Sequence, residues 1–158
     1  MTATAKTVAD SLTLMTEQCL PPHANVAGTI FGGQIMAWMD ICAAICSQRH
    51  AGAVCVTAAV DELTFQKPIL VGHVVRLEAR LTAVFKTSLE VEVTVQGENA
   101  STGELWPCVH ALMTFVAINP DGTKRQVPDL VLSSDEERAR HAGALARKQT
   151  RLALKNAG

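Results

Sequence analysis

The chain has 158 residues, 48% hydrophobic and 18% charged, with a formal net charge of −1. That balance describes one compact domain with a substantial core and excludes a disordered chain. With no tyrosine, two tryptophans and no basic patch interleaved with aromatics, no nucleic-acid partner is expected.

The N-terminus, MTATAKTVADSL, has no apolar run behind its lysine and does not read as a secretory signal. Residues Ala9–Glu17 alternate weakly and predict a first strand. The segment Gln18–Gly33 is turn-rich, with Pro21, Pro22 and three glycines. A helix is predicted over Gln34–Arg49, apolar on every side through Ile35, Met36, Trp38, Met39, Ile41 and Ile45. Such a helix must be covered all round. It would span about 24 Å, short of the ~30 Å of a bilayer core, so it reads as a core helix and no membrane association is expected. The odd set of cysteines 19, 42, 46, 55 and 108, without an export signal, predicts reduced thiols in the cytoplasm. Cys42, Cys46 and His50 follow one another at one-turn spacing, but zinc patterns use tighter pairs. Core packing is the reading, and no metal is expected.

Val54–Phe65 is a β-rich run, apolar on both faces as a central strand would be. Val71–Val84 places Val71, His73, Val75, Leu77, Ala79 and Leu81 opposite Arg76, Glu78 and Arg80. Ser88–Gln96 sets Leu89, Val91, Val93 and Val95 against Glu90, Glu92 and Thr94. This period-two alternation predicts half-exposed strands joined by a short turn at Phe85–Thr87. Leu105–Ile118 is again apolar on both faces. The layout is α+β: a strand, a long buried helix, then four antiparallel strands, with apolar faces left over for a second subunit. Beyond Pro128 the chain turns acidic, and Arg138–Gly158 carries six Lys/Arg and no acid. That segment reads as a basic surface helix or a frayed tail, with a phosphate-binding or interface role as the alternative.

Asp40 sits inside the apolar helix, where an unpaired charge is costly. Gly32-Gly33 directly precede the helix, where free N–H groups and the helix dipole can hold developing negative charge. Asp40 lies about 10 Å further along the axis, too far to act on a carbonyl held at its own helix N-terminus. If both belong to one site, two subunits must share it. The competing reading is structural, with Asp40 paired to a backbone or histidine group in an interface.

The run PPHANVAGTIFGGQIMAWMD (Pro21–Asp40) resembles the signature of hotdog-fold acyl-CoA thioesterases of the cytosolic acyl-CoA hydrolase type. VTAAVDELTFQKPILVGHVV (Val56–Val75), KTSLEV (Lys86–Val91), FVAINPDG (Phe115–Gly122) and Val127-Pro128 resemble its later blocks, in order. The similarity covers residues 9–128, the expected hotdog domain, and leaves 129–158 as a C-terminal basic helix or tail. It implies a five-stranded antiparallel sheet wrapped around one long helix. Two such protomers would pair as a double hotdog, with dimers assembling into a trimer of dimers. It also implies hydrolysis of acyl-CoA with no cofactor beyond the coenzyme A of the substrate.

In that family pattern Asp40 is general base or nucleophile, and Asn25 and the Gly32-Gly33 amides hold the substrate and its carbonyl oxygen from the opposite protomer. Thr57 matches a hydroxyl position that orients water, and His23 falls within the signature. Coenzyme A brings phosphates, for which Arg80, Lys86 and Arg125 are candidates, with Thr87 and Ser88 in the same block. One departure is Phe85-Lys86, where relatives commonly have a glycine and a basic residue. Two further readings are a hydratase or dehydratase acting on acyl thioesters and a non-catalytic acyl-CoA-binding module. The first uses a histidine paired with an acid, yet no histidine follows the glycine pair on the helix before His50.

Overall fold

The computed structural model describes residues 3–158. In chain order its elements are β1 (Lys6–Thr7), a single helical turn α1 (Val8–Ser11), β2 (Thr13–Gln18), a 3-10 turn (Pro21–His23) and α2 (Gly32–Ala51). There follow β3 (Val54–Phe65), β4 (Val74–Val84), β5 (Ser88–Asn99), β6 (Glu104–Ile118), β7 (Leu130–Val131) and α3 (Asp135–Asn156). Five strands form one antiparallel sheet in the order β2-β4-β5-β6-β3, and β1 pairs with β7 in parallel.

The sheet takes one side of α2. Ile35, Trp38, Met39, Cys42, Ala43 and Cys46 are buried among Val75, Leu77, Ala79 and Leu81 of β4 and Leu89, Val91, Val93 and Val95 of β5. Burying each large side chain contributes roughly 1.5–3 kcal/mol, so this seam dominates the stability of the fold. The thiols are packing groups: Cys42 reaches the carbonyl of Thr13, and Cys46 the hydroxyl of Ser11. α2 runs two residues past each predicted end and stops at Gly52, whose φ of 63° and N–H bond to Gln48 O close it.

Several sequence expectations need correcting. The first half of the predicted strand Ala9–Glu17 is the turn α1, because Asp10 accepts the Thr7 N–H at 2.7 Å and caps it. Val71 and His73 precede β4 in a turn made by Gly72 at φ 91°, where His73 Nδ1 accepts the Leu70 N–H. β3, read as central, is an edge strand paired only to β6. Its apolar outer residues Val54 and Val56 are exposed, so its double-sided apolar pattern marks a face that this chain leaves open.

The outward face of β5 also differs. Glu90, expected at a half-exposed position, is fully buried beneath α3. It accepts two hydrogen bonds from Arg147, at 3.1 and 2.8 Å, and one from the Thr82 hydroxyl at 2.6 Å. Losing Arg147 would strand the buried Glu90 carboxylate, a cost of about 3–5 kcal/mol. Arg140 pairs with Glu92, and Arg151 with Asp61, so the basic segment is a 22-residue helix strapped across the sheet. Ser134 caps it by accepting the Glu137 N–H, with three acids in its first turn.

At the far end of α2, His50 is fully buried and its Nε2–H donates to Pro128 O at 2.8 Å, tying the core helix to the chain that leads to β7. His50 Nδ1 has no partner among the described residues. Burial holds the imidazole below its ordinary value of 6.5. Below about pH 6.5 the unfolded chain therefore takes up a proton that the fold resists. This contribution is complete above that pH and is lost as the pH falls toward the folded value. The melting temperature should drop between pH 7 and pH 5.5, and a denaturation series should find that drop shallower in His50→Gln, which keeps a donor without titrating.

Candidate active site

The chain enters α2 through Phe31, whose N–H donates to His23 O at 2.8 Å and whose carbonyl accepts the Gln34 N–H at 2.9 Å. The next two amides, of Gly32 and Gly33, meet no acceptor among the described residues. Lacking side chains, they leave the positive end of the helix dipole open to a ligand. Phe65 stands over this end, its ring 3.5 Å from where a Cβ on Gly32 would lie.

Two turns later comes Asp40. The Thr57 hydroxyl of β3 donates to Asp40 Oδ1 at 2.5 Å, leaving Oδ2 without a protein partner among the described residues. Thr57 lies immediately before a β-bulge at Ala58, which breaks the register of the edge strand. Asp40 was expected to be buried. In the single chain it is only half-buried, because none of the described residues covers the far side of α2. Alongside runs a cavity of about 290 Å³, walled by Met36, Met39, Val60, Leu63 and Met113 and reaching from Gly33 to Asp40. Three methionines make this wall apolar and adaptable, as suits a flexible hydrocarbon chain. Nothing in the sequence singled these residues out, because they read as ordinary core.

The other predicted residues are distributed differently. Asn25 is exposed, and its side chain organises its own loop: Oδ1 accepts the Ala27 and Thr29 N–H groups, and Nδ2 donates to the Thr29 hydroxyl at 2.8 Å. Beside it Val26 is fully exposed at the loop tip. His23 packs edge-on against Trp38, with ring centroids 5.0 Å apart, and its Nδ1 accepts the Leu20 N–H. These contacts hold the His23 ring in place within the loop.

Lys86, Thr87, Ser88 and Arg125 gather at one end of the sheet. There Val127 N–H bonds Lys86 O, Ala117 N–H bonds Thr87 O, and Arg125 N–H bonds Ala117 O. Arg80 is separate from them, on the outer face and engaged by Glu78. The turn at Phe85 closes without a glycine through its N–H bond to Ser88 O at 2.7 Å. The Phe85 ring carries Lys148 of α3, 3.7 Å from its centroid.

A long central helix carrying a carboxylate fixed by a hydroxyl beside an apolar cavity, packed against one five-stranded antiparallel sheet, is the architecture of a hotdog protein. The Thioesterase superfamily family model matches residues 27–103. The uncharacterized acyl-CoA thioester hydrolase YkhA of Bacillus subtilis is 35% identical over 142 residues, covering 90% of this chain and 83% of that protein. This chain belongs to the thioesterase superfamily. It spans about a quarter of the length of longer relatives such as mouse acyl-coenzyme A thioesterase 11, to which it is 35% identical over 87% of its own residues and 23% of the relative's.

Among solved structures, an apo-hexameric acyl-CoA thioesterase superposes with a TM-score of 0.92 at 35% identity, over 97% of this chain and 98% of that one. A Staphylococcus aureus acyl-CoA hydrolase, solved with butyryl coenzyme A, coenzyme A and coenzyme A disulfide, gives 0.88 at 30% identity over 96% and 92%. That hydrolase was also solved as alanine mutants of an aspartate, an asparagine and a threonine.

The bonds made by Asn25 give it a role in holding its own loop. Asn25→Ala should speed hydrogen exchange at the Ala27 and Thr29 amides and cost about 1 kcal/mol. Asn25→Asp, which keeps the accepting oxygen, should leave both amides protected.

Proposed function

We propose that this protein hydrolyses acyl-CoA thioesters to a free carboxylic acid and coenzyme A. The observation that carries the reading is the Thr57–Asp40 hydrogen bond in the wall of the apolar cavity. The S. aureus hydrolase supports it. The sequence intervals between its three mutated residues, fifteen and seventeen, equal those separating Asn25, Asp40 and Thr57 here. A hydratase-like site would pair its acid with a histidine, whereas the partner of Asp40 is a hydroxyl.

In this mechanism the acyl chain lies along the methionine-walled cavity and the thioester oxygen accepts the Gly32 N–H. Thr57 fixes one carboxylate oxygen of Asp40, and the other takes a proton from water as the water oxygen bonds to the thioester carbon. The resulting oxyanion is held at the helix N-terminus. Its collapse breaks the carbon–sulfur bond and expels the coenzyme A thiolate, which takes up the proton. Direct attack by Asp40, with an anhydride then opened by water, gives the same products.

The ~10 Å between Gly32-Gly33 and Asp40 along one helix supports a site whose acid and carbonyl clamp come from different protomers. The exposed apolar edge of β3 and the projecting Val26 loop provide the surfaces for that pairing, as a double hotdog and then a trimer of dimers. The reaction uses water and no metal or further cofactor, and the reduced thiols suit a cytoplasmic setting.

The test follows loss of thioester absorbance on short-, medium- and long-chain acyl-CoAs. The wild type should cleave at least one of them. Asp40→Asn, nearly isosteric, should lose kcat by about 100-fold or more while staying folded and oligomeric. Gly32→Pro should also fold, since proline suits the first helical position and Phe31 is already extended at φ −66° and ψ 127°. It removes the clamping N–H and should cost roughly 10²–10³-fold in kcat. Binding of acyl-CoA without turnover by the wild type, or full activity in Asp40→Asn, would overturn the reading.

A further inference from the structure

Among the described residues, Glu62 is the one non-glycine position with a positive φ, 54°. Left-handed backbone is unfavourable for such a side chain and persists only where the surroundings hold it. Glu62 belongs to the second of two bulges on β3. Thr57 pairs with Phe115 and Ala59 with Thr114, so Ala58 is the extra residue of the first. Asp61 pairs with Leu112 and Thr64 with His110, so Glu62 and Leu63 share the place opposite Ala111.

Each bulge reverses the alternation of the strand once. Thr57 points inward, its hydroxyl on Asp40. Counted from there without bulges, the inner face would carry Ala59, Asp61, Leu63 and Phe65, with an acid beside the cavity. The first bulge instead turns Val60 into the cavity wall and Asp61 outward, where Arg151 of α3 binds it. With that bulge alone, Glu62 would come next on the inner face, and Leu63 and Phe65 would turn out. The second bulge cancels this. Leu63 enters the wall beside Ala111 and Met113, and Phe65 returns over Gly32. The pair thus keeps two carboxylates out of an apolar cavity and puts two aliphatic side chains in.

Leu63 also stands at the end of the cavity remote from the acid. Its place opposite Ala111 lies four residues of β6 from Phe115, the partner of Thr57, which is about 14 Å of strand. A chain whose reacting carbon sits at Asp40 and which runs along the cavity therefore meets Leu63 last. The methionines of the wall adapt to their contents, whereas Leu63 is half-buried and packed against the core.

We propose that Leu63, aimed by the bulge at Glu62, is the specificity-determining residue of the cavity and limits the length of aliphatic acyl chain it accepts. The inference rests on the thioesterase reading only in taking the ligand to be an acyl chain. Glu62 is a positioning residue, acting through Leu63.

The probe is a series of S-alkyl coenzyme A thioethers of increasing length, which cannot be hydrolysed, titrated calorimetrically into the full-length protein. In the wild type each added methylene should tighten binding about fourfold up to a limiting length, beyond which affinity stops rising. Leu63→Ala should move that limit to longer chains and Leu63→Phe to shorter ones, with circular dichroism unchanged. Leu63→Val, a milder truncation, should move it as Leu63→Ala does but by less. For the first acyl-CoA beyond the wild-type limit, kcat/KM should rise about tenfold or more in Leu63→Ala, with kcat on short chains kept. Glu62→Gly, which suits a positive φ, should keep the wild-type limit. Glu62→Val, which opposes it, should move the limit although the residue lies outside the wall. No length dependence in the wild type, or an unchanged limit in the folded Leu63 truncations or in Glu62→Val, overturns the proposal. Should the wild type cleave no acyl-CoA while the thioether limit still moves with Leu63, the thioesterase reading fails and this proposal stands.

Discussion

Everything in this molecule follows from a helix that has no polar face. α2 buries Ile35, Trp38 and Met39 against the sheet, yet it still presents Met36 and Ile41 on the side that the sheet does not reach. A single five-stranded sheet can curve around only part of a cylinder. The remaining flank, the open edge of β3 and the projecting Val26 loop are the same deficit seen from three elements. The apolar surface left uncovered is thus a matter of packing before it is one of chemistry.

The site inherits this division. Helix geometry fixes the free amides at Gly32-Gly33 and the carboxylate at Asp40 two turns apart, on a rigid rod that cannot bring them together. Thr57 reaches Asp40 because β3 crosses the flank of α2 at that level, and the neighbouring bulge re-aims the strand there. Asn25, tied into its own Asx turn, is presented outward with its loop. Each chain therefore carries an amide end and an acid end, and pairing is what would complete a site.

Much of the fold was legible because it rests on periodicity. The clean alternation over Val75–Leu81 and Leu89–Val95 is a direct print of a sheet with one face on a helix, and both runs form that face. Local pattern cannot report strand order, however. β3 looks central by composition because interface residues are as apolar as core residues, and only the topology puts it at the edge. Glu90 misled for the opposite reason: a glutamate in an alternating strand signals solvent unless a distant arginine, here Arg147, lies over it. At the site, Asp40 and Gly32-Gly33 stood out as departures from their surroundings, and Thr57 came only through the family resemblance. Arg80 could not be told from Lys86 or Arg125, because a charge in a sequence does not declare its partner.

The five thiols acquire a further meaning from the proposed chemistry. All are buried, and burial pushes Cys42 up to about 12 and Cys46, Cys55 and Cys108 to about 11, with Cys19 also raised. At neutral pH almost none of them is a thiolate, the form that attacks disulfides. A protein that releases coenzyme A is continually bathed in a foreign thiol and in whatever disulfide that thiol forms. If this chain releases coenzyme A as proposed, its own sulfurs, buried and held as thiols, are poorly placed to form mixed disulfides with it.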